Sequence, residues 1–219
     1  HSRLLHMWAG GAELRLTRCR RSNREHYDFC LGLLTLPLAD AVQRCRAAFP
    51  LKAGPAHLQA DIHIVLSHHR RTMLNKRCQK EAVKRYRDSH PDGLVVRIEA
   101  CEEEAGMNRQ QDFDLTEGTK FIGANNDLKS VVNGGFMTVG TVRAEDCDII
   151  DEFGGAYTLS HAQVARCTRL AWAITVTSSQ SREFEGTVCL WDLSSKHYSR
   201  AHLYVATTRV KHGSLLIVA

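Results

Sequence analysis

The sequence predicts an α/β domain interrupted by a small antiparallel β-barrel, and three observations support this fold class. Strand-like apolar runs alternate with helical patterns up to about residue 93 and again after residue 160. Between residues 94 and 160, short β-type runs are separated by Gly, Asn and Asp, a pattern typical of a small antiparallel barrel or meander. A chain of 219 residues is long enough for one large domain with such an insertion. We therefore assign residues 1–93 and 161–219 to the α/β domain and residues 94–160 to the insertion.

Helix start and stop signals define the elements before the insertion. Ser22 or Asn23 can cap a first helix, and Pro37 begins a second one. The turn sequence His-Pro-Asp-Gly at residues 90–93 closes a third helix. The predicted elements are a strand ending near residue 16, a helix from about residue 23, a helix over residues 41–48, a buried strand over residues 61–66 and a helix from about residue 70 to residue 86.

Short strands dominate the rest of the chain. Within the insertion, β-type runs cover residues 94–100, 120–124, 136–143 and 156–159. After the insertion, residues 164–170 have a helical pattern, whereas residues 173–176, 187–190 and 215–218 are short apolar runs typical of strands. The chain thus returns to the α/β pattern after residue 160.

The balance of charge permits a polyanionic partner but does not require one. Lys and Arg number 29 against 24 Asp and Glu, which gives a formal net charge of +5. The basic residues crowd two segments, one from Arg15 to Arg24 and the other from Arg70 to Arg87. A solvated helix face is the simpler interpretation of either cluster taken alone.

Cysteine and hydropathy patterns favour an intracellular protein. None of the eight cysteines forms a C-x-x-C pair, and the paired histidines have no obvious further ligands, so we predict reduced thiols and no metal site. No apolar run reaches the ~20 residues of a membrane span, and no secretory signal is recognisable. The pattern leaves the nucleus, the cytoplasm and a viral factory open as compartments. A chain that starts at His1 is expected to be a piece of a longer protein.

Several phosphate-binding and nucleophile motifs are missing from the sequence. It contains no G-x-x-x-x-G-K-[ST], no G-x-G-x-x-G and no G-x-S-x-G. Without a loop that cradles phosphates, this chain alone is not expected to hydrolyse a nucleotide.

The first informative block covers residues 175–186, where a buried strand runs into small hydroxyl side chains and an amide. Hydroxyls and backbone N–H groups at a helix start are good phosphate contacts, because donors converge there and the helix dipole favours an anion. A serine-rich helix cap is the alternative interpretation. The hydroxyl side chains of this block, the candidate phosphate contacts, are Thr175, Thr177, Ser178 and Ser179, and the amide is Gln180.

The second block covers residues 203–211, an apolar helical pattern that carries Arg209 near its end. A guanidinium on a packed helix could offer a planar fork to a phosphate at a domain edge. An ordinary surface arginine is the alternative.

In this order, and separated by a short strand, the two blocks resemble the last two signature motifs of superfamily 1 helicases. The family patterns are roughly T-x-H-x-x-Q-G-x-x-F and Y-V-A-x-[ST]-R. Residues 204–209 read Y-V-A-T-T-R and fit the second pattern, while Thr175, Gln180 and Phe184 fit the first. The sequence departs from the family at Thr177, where the pattern has His, and at Ser181, where it has Gly.

Earlier segments extend the resemblance over nearly the whole chain. Residues 16–22 resemble L-x-x-x-[YF]-R-[SQ], a motif that supplies an Arg to the nucleotide phosphates; Arg21 and Arg20 fit alternative spacings, and Arg21 is preferred because Ser22 follows it. Residues 64–75 resemble the strand and helix that follow in the family. Segments 118–122 and 132–134 resemble the G-x-[KR]-[FV]-[IM] … N-G signature of the RecD-like branch, and a viral source is compatible with this.

The resemblance implies the C-terminal motor half of an ATP-dependent DNA helicase acting in DNA replication or repair. Its fold would be a RecA-like parallel sheet flanked by helices, with the inserted barrel. ATP and Mg²⁺ would be bound mainly by an N-terminal RecA-like domain of the same polypeptide, and this chain would close over the γ-phosphate. The implied catalytic residues are Arg209, Arg21, Arg20 and Gln180. The implied contacts to single-stranded DNA, or to RNA, are Thr175, Thr177, Ser178, Ser179, Ser67, His68 and His69.

Two other interpretations stay open. A helicase relic that binds nucleic acid without catalysis would explain the departures at Thr177 and Ser181. An interaction domain on the same scaffold, for example in a viral replicase, is the other. A P-loop encoded upstream would favour the helicase, and its absence would favour the relic.

Overall fold

The computed structural model describes residues 21–100 and 111–219, which form five α-helices, two short 3-10 helices and eleven strands. The helices are α1 (Arg24–Leu34), α2 (Leu38–Ala48), α3 (His68–Ser89), α4 (His161–Cys167) and α5 (Arg200–Thr207), with 3-10 turns at Ala56–Leu58 and Gly213–Leu215. The first strands are β1 (Ile62–Val65), β2 (Val96–Ile98), β3 (Phe113–Leu115), β4 (Lys120–Gly123), β5 (Phe136–Val142) and β6 (Asp146–Asp151). The remaining strands are β7 (Ala156–Ser160), β8 (Thr168–Leu170), β9 (Ala173–Thr175), β10 (Val188–Leu190) and β11 (Leu216–Val218).

A four-stranded parallel sheet in the order β11-β10-β1-β9 forms the centre of the α/β part. Every residue of these strands is buried, which explains why they appear in the sequence as short continuous apolar runs. Helices α2 and α5 contribute buried side chains such as Val42 and Leu203 to the core around the sheet. The predicted α/β fold with a parallel sheet is therefore confirmed.

Polar caps start the helices close to the predicted positions. The Asn23 side chain accepts a hydrogen bond from the His26 amide at 3.0 Å, and the Ser67 hydroxyl accepts one from the Arg70 amide at 3.2 Å. Because of the Ser67 cap, α3 starts two residues before the predicted residue 70, and α2 starts directly after Pro37 rather than at residue 41. The predicted strand near residue 16 lies outside the described residues. Within the described part of the chain, no helix is both long and apolar enough to cross a membrane.

The β-rich insertion forms an open sheet rather than the predicted barrel. Five antiparallel strands lie in the order β7-β6-β5-β4-β8, and β2 pairs with β3 separately. Within the described residues, β7 and β8 are not paired with each other. Helix α4 connects them and places Val164 and Cys167 in the core of this sheet. The sequence missed β3 and β6. In β6, buried residues alternate with polar ones, but its three aspartates are unusual in strands, so the sequence was not recognised as a strand.

The antiparallel sheet continues beyond residue 160, where the sequence placed the end of the insertion. Strand β8 pairs with β4, with Phe121 opposite Leu170. Residues 164–170, predicted as one helical segment, divide into the end of α4 and this strand. We therefore propose that the insertion extends to about Leu170; the rest of the domain division stays a prediction.

Two buried amide side chains of helix α3 connect the parallel sheet to the separate β2–β3 pair. Asn75 donates from Nδ2 to the Ala173 carbonyl at 3.1 Å and accepts from the Ala173 amide at 2.7 Å, which ties α3 to β9. One turn later, Gln79 donates from Nε2 to the Asp114 carbonyl at 2.7 Å in β3. The spacing of four residues places both amides on one face of the helix.

Replacing Asn75 with Ala is expected to lower the free energy of unfolding by about 2–4 kcal/mol, because both main-chain groups of Ala173 lose a buried partner. Urea denaturation followed by circular dichroism measures this change. Arg77→Ala is the matched control: Arg77 is exposed on the same helix, and its loss should change the stability by less than about 0.5 kcal/mol. Equal stability of the two variants would contradict the role assigned to Asn75.

Candidate functional site

The parallel strands all end at one edge of their sheet, here called the carboxyl edge, and polar residues follow three of them. Ser67 comes soon after β1, Thr177 and Ser178 come after β9, and Asp192 comes after β10. Ligands of open α/β sheets bind outside the carboxyl ends of the strands. The carboxyl edge is therefore the candidate site.

The segment after β9, residues 176–184, is here called the hydroxyl loop. It forms a series of turns and not the predicted helix start. The Thr175 and Ser178 hydroxyls lie 3.0 Å apart, and the Ser179 hydroxyl donates to the Val176 carbonyl at 2.7 Å. Thr175 and Ser179 are both buried. Their hydroxyls therefore stabilise the loop instead of facing solvent.

Three predicted site residues of the hydroxyl loop are accessible, two of them predicted DNA contacts and one, Gln180, predicted as catalytic. Thr177 and Gln180 are exposed, and Ser178 is half-buried. In the part of the chain that the structure describes, no hydrogen bond involves the side chains of Thr177 and Gln180. These two side chains are the ones free to reach a ligand above the carboxyl edge.

Ser181, which stands where the helicase pattern has Gly, has a left-handed backbone with a φ of 61°. Glycine adopts this conformation without a steric penalty, whereas a residue with a Cβ does so at a cost. The loop thus retains a glycine-like turn without the glycine.

Arg209 lies two residues beyond the end of α5 and points into the protein. Its side chain is only 5% exposed, so the guanidinium does not offer the predicted fork to solvent in this structure. Burial lowers its pKa, and the nearby positive charge of Arg21 lowers it further. The guanidinium donates to the Val205 carbonyl at 2.7 Å, the Arg182 carbonyl at 2.9 Å, the Thr208 hydroxyl at 3.0 Å and the Ser179 carbonyl at 3.2 Å.

These hydrogen bonds join the two sequence blocks that carry the resemblance. Two acceptors, the carbonyls of Ser179 and Arg182, belong to the hydroxyl loop, and Val205 belongs to α5. The Phe184 amide also donates to the Arg209 carbonyl at 2.8 Å. The two motifs that carry the resemblance are therefore in direct contact in the fold.

Arg21 is exposed next to this junction. Its Nε lies 3.7 Å from a carboxylate oxygen of Glu183, a long and exposed ion pair. The start of α1 is fixed beside α5, because the Asn23 amide donates to the Lys211 carbonyl at 3.0 Å and the His26 ring bonds the Thr207 carbonyl at 2.9 Å. Arg20, the alternative candidate, lies outside the described residues.

The predicted contacts after β1 lie on the same edge of the sheet. Ser67 and His69 are exposed, but the Ser67 hydroxyl is already used as the cap of α3. His68 is half-buried, and its pKa is lowered first by burial and then by the charges of Arg71 and Arg169. The half-buried His68 and the exposed His69 therefore follow β1, the neighbour of β9 in the sheet.

Asp192 is a site residue that the sequence reasoning missed. Its carboxylate accepts hydrogen bonds from the Leu66 amide at 3.1 Å and the Ser67 amide at 3.4 Å, and it pairs with Arg70 at 3.1 Å. It thus fixes the segment between β1 and α3. An acidic residue two positions after a buried strand was the available signal.

Arg182 is a second missed residue, and it joins the hydroxyl loop to the antiparallel sheet. Its guanidinium forms hydrogen bonds to both carboxylate oxygens of Glu152 at 2.7 and 2.6 Å and to the Gly134 carbonyl. It also lies over the Phe136 ring, 5.0 Å from the ring centre. Arg182 lies inside the first motif, but its partners are 30 or more positions away along the chain, so no local sequence pattern indicates them.

Two comparisons with known proteins agree with this geometry. Residues 170–217 match the family model of the UvrD-like helicase C-terminal domain, a span that includes both motif blocks. The predicted resemblance to the C-terminal domain of superfamily 1 helicases is thereby confirmed. A comparison with curated protein sequences gives no significant match.

Solved structures of Pif1 helicases share the fold. Bacteroides Pif1 bound to ssDNA is 15% identical with a TM-score of 0.61, over 94% of this chain and 51% of that one. Pif1 from Candida albicans is 16% identical with a TM-score of 0.61, over 92% of this chain and 54% of that one. Bacteroides Pif1 in complex with ADP-AlF3 and ssDNA is 16% identical with a TM-score of 0.56, over 94% of this chain and 51% of that one. The chain thus spans about half the length of these Pif1 chains.

Replacing Ser181 with Gly is expected to raise the free energy of unfolding by about 1 kcal/mol, because glycine removes the steric penalty of the left-handed backbone. Ser130→Gly is the control: Ser130 is an exposed turn residue without a positive φ, and there glycine should destabilise by up to about 1 kcal/mol. Urea denaturation measures both. A loss of stability in Ser181→Gly would contradict the left-handed conformation.

Proposed function

We propose that this chain is the C-terminal motor domain of an ATP-dependent DNA helicase. The observation that carries the proposal is the contact made by Arg209, which joins the two helicase-like motifs at the carboxyl edge of a parallel sheet. The family match over residues 170–217 and the shared fold with Pif1 support it. ATP and Mg²⁺ would be held mainly by an N-terminal RecA-like domain of the full-length protein.

The proposed nucleotide face contains Arg21 and Arg209. Arg21 is exposed, and among the described residues a long ion pair to Glu183 is its only restraint, so it can turn towards a γ-phosphate when the domains close. A cation there would stabilise the charge of the phosphoryl-transfer transition state. Arg209 would reach the phosphate only after giving up its carbonyl bonds to Ser179 and Arg182. In our proposal, this exchange links closure over ATP to movement of the hydroxyl loop.

The proposed single-strand track consists of exposed side chains above the carboxyl edge. Thr177, Ser178 and Gln180 of the hydroxyl loop can donate hydrogen bonds to phosphates, and His69 after β1 extends the same edge. Thr175 and Ser179 are buried, so we assign them to holding the loop rather than to contacting the strand. The Pif1 structures with ssDNA are consistent with such a partner for a protein of this fold.

A catalytically inactive relic is the second candidate, and the departures at Thr177 and Ser181 favour it. The departure at Ser181 is weak support for a relic, because Ser181 keeps the left-handed turn that a glycine would adopt. Thr177 remains exposed and offers a hydroxyl donor. The helicase therefore stays the better supported proposal.

The isolated chain of 219 residues is expected to hydrolyse no ATP, because no P-loop motif occurs in it. It should bind oligo-dT weakly, with an affinity that falls as salt increases. Phosphate release and fluorescence anisotropy measure the two properties on a sample whose folding is verified by circular dichroism. Robust ATP turnover by the isolated chain would contradict the division of the active site between two domains.

In the full-length protein, Arg21→Ala is expected to lower strand-stimulated ATP turnover about 1,000-fold while leaving ATP binding largely intact. Arg21 is a better target than Arg209, whose removal would also release the hydroxyl loop. Arg24→Ala is the control, since Arg24 is exposed at the start of α1 and pairs only with Asp28 among the described residues. Steady-state turnover and nucleotide binding are compared for all three proteins. Unchanged turnover in Arg21→Ala would refute the role of Arg21.

A further inference from the structure

Helix α3 carries a line of cations on one side, here called the basic stripe: Lys76, Lys80, Lys84 and Arg87. All four side chains are exposed. Their spacing of four, four and three residues places them on one helix face, about 6 Å apart along the axis for each step of four residues. The helicase-like motifs and the proposed track do not include them.

The basic stripe forms one wall of a cavity of about 600 Å³ between α3 and the β2–β3 hairpin. Within the described residues, none of its four cations is in an ion pair. The opposite wall contains Asp112 and Asp114, but Arg97 pairs with both, at 3.5 and 3.3 Å. Glu81 and Asp88 also line the cavity, so the lining as a whole has five basic and four acidic side chains and a net charge of +1. The cavity thus presents a regular row of unpaired cations.

The residue types on this face favour nucleic acid over protein as the partner. Among the described residues, α3 contributes no exposed large hydrophobic side chain. Protein interfaces are built around apolar and aromatic anchors and are depleted in lysine. Protein–nucleic-acid interfaces are polar, positively charged and rich in phosphate contacts.

We propose that the basic stripe binds the phosphodiester backbone of a nucleic acid, at a second contact separate from the carboxyl edge. Helix α3 starts at that edge, and Lys76 lies about 12 Å farther along its axis than His68. The stripe therefore leads away from the proposed track, so that a strand or duplex arm leaving the edge would meet it. This inference rests on the proposed function, because it assumes that nucleic acid reaches the carboxyl edge.

The test compares salt dependence of binding in the full-length protein. The triple substitution Lys76→Gln, Lys80→Gln and Lys84→Gln removes three proposed phosphate contacts. It should reduce the slope of log affinity against log salt by about 2 for a single strand, at ~0.7 per contact. Fluorescence anisotropy between low and moderate KCl, on labelled oligo-dT and on a hairpin with a single-stranded tail, gives the slopes and shows which form the stripe prefers. A triple Lys→Arg variant should keep the wild-type slope.

The control replaces three exposed lysines elsewhere with Gln, namely Lys52, Lys129 and Lys196. It changes the net charge by the same amount and should leave the slope nearly unchanged. Wild-type slopes for both substrates in the stripe variant would overturn the inference, as would equal losses in the stripe and control variants. Equal competition by polyglutamate at matched charge would show a general polyanion surface and overturn the nucleic-acid assignment.

The result for the stripe variant can be distinguished from the result that tests the proposed function. If Arg21→Ala leaves turnover unchanged while the stripe variant loses salt dependence, only the helicase mechanism fails. If Arg21→Ala abolishes stimulated turnover while the stripe variant binds like wild type, only the stripe fails. A wild-type protein that binds neither substrate refutes both.

Discussion

The buried guanidinium of Arg209 is the interaction on which the carboxyl edge depends. It binds carbonyls of the hydroxyl loop on one side and of α5 on the other. A buried cation is costly unless its donors are satisfied, so this arrangement requires the loop and the helix end to stay in register. Among the described residues, its hydrogen-bond partners are neutral carbonyls and a hydroxyl, and it forms no direct ion pair there. The edge thus combines a fixed loop with a buried cation.

Arg182 extends the same network to the antiparallel sheet. Its carbonyl accepts from Arg209, while its guanidinium binds Glu152 and Gly134 of the insertion. Residue 182 is therefore held twice, through its carbonyl by the buried Arg209 and through its own partly exposed guanidinium by Glu152 and Gly134. A continuous path of hydrogen bonds runs from α5 through the loop to the insertion, so a displacement of either part acts on the loop between them.

The sequence predicted those features that depend on neighbouring residues. The apolar run at Ile62–Val65 and the capped start of α3 were recognisable because burial and capping leave local patterns. Closure of a sheet depends on pairing between distant strands, which local patterns do not reveal, and no closed barrel is found among the described residues. The inward orientation of Arg209 could not be predicted from the sequence either. Its acceptors include main-chain carbonyls, and two of these are 27 and 30 positions away. Main-chain acceptors carry no sequence signature.

The strained turn at Ser181 is explained by this network. A left-handed serine costs about 1 kcal/mol or more, and such a conformation persists only where surrounding contacts determine it. Those contacts are the Ser179 hydroxyl bond to Val176 and the Arg209 bonds to the carbonyls of Ser179 and Arg182 on either side of the turn. Because the network fixes the backbone independently of residue 181, the loss of glycine there changes the stability of the loop but not its course. Thr177, which is exposed, is then the departure from the helicase pattern that bears on the proposed contact with single-stranded DNA.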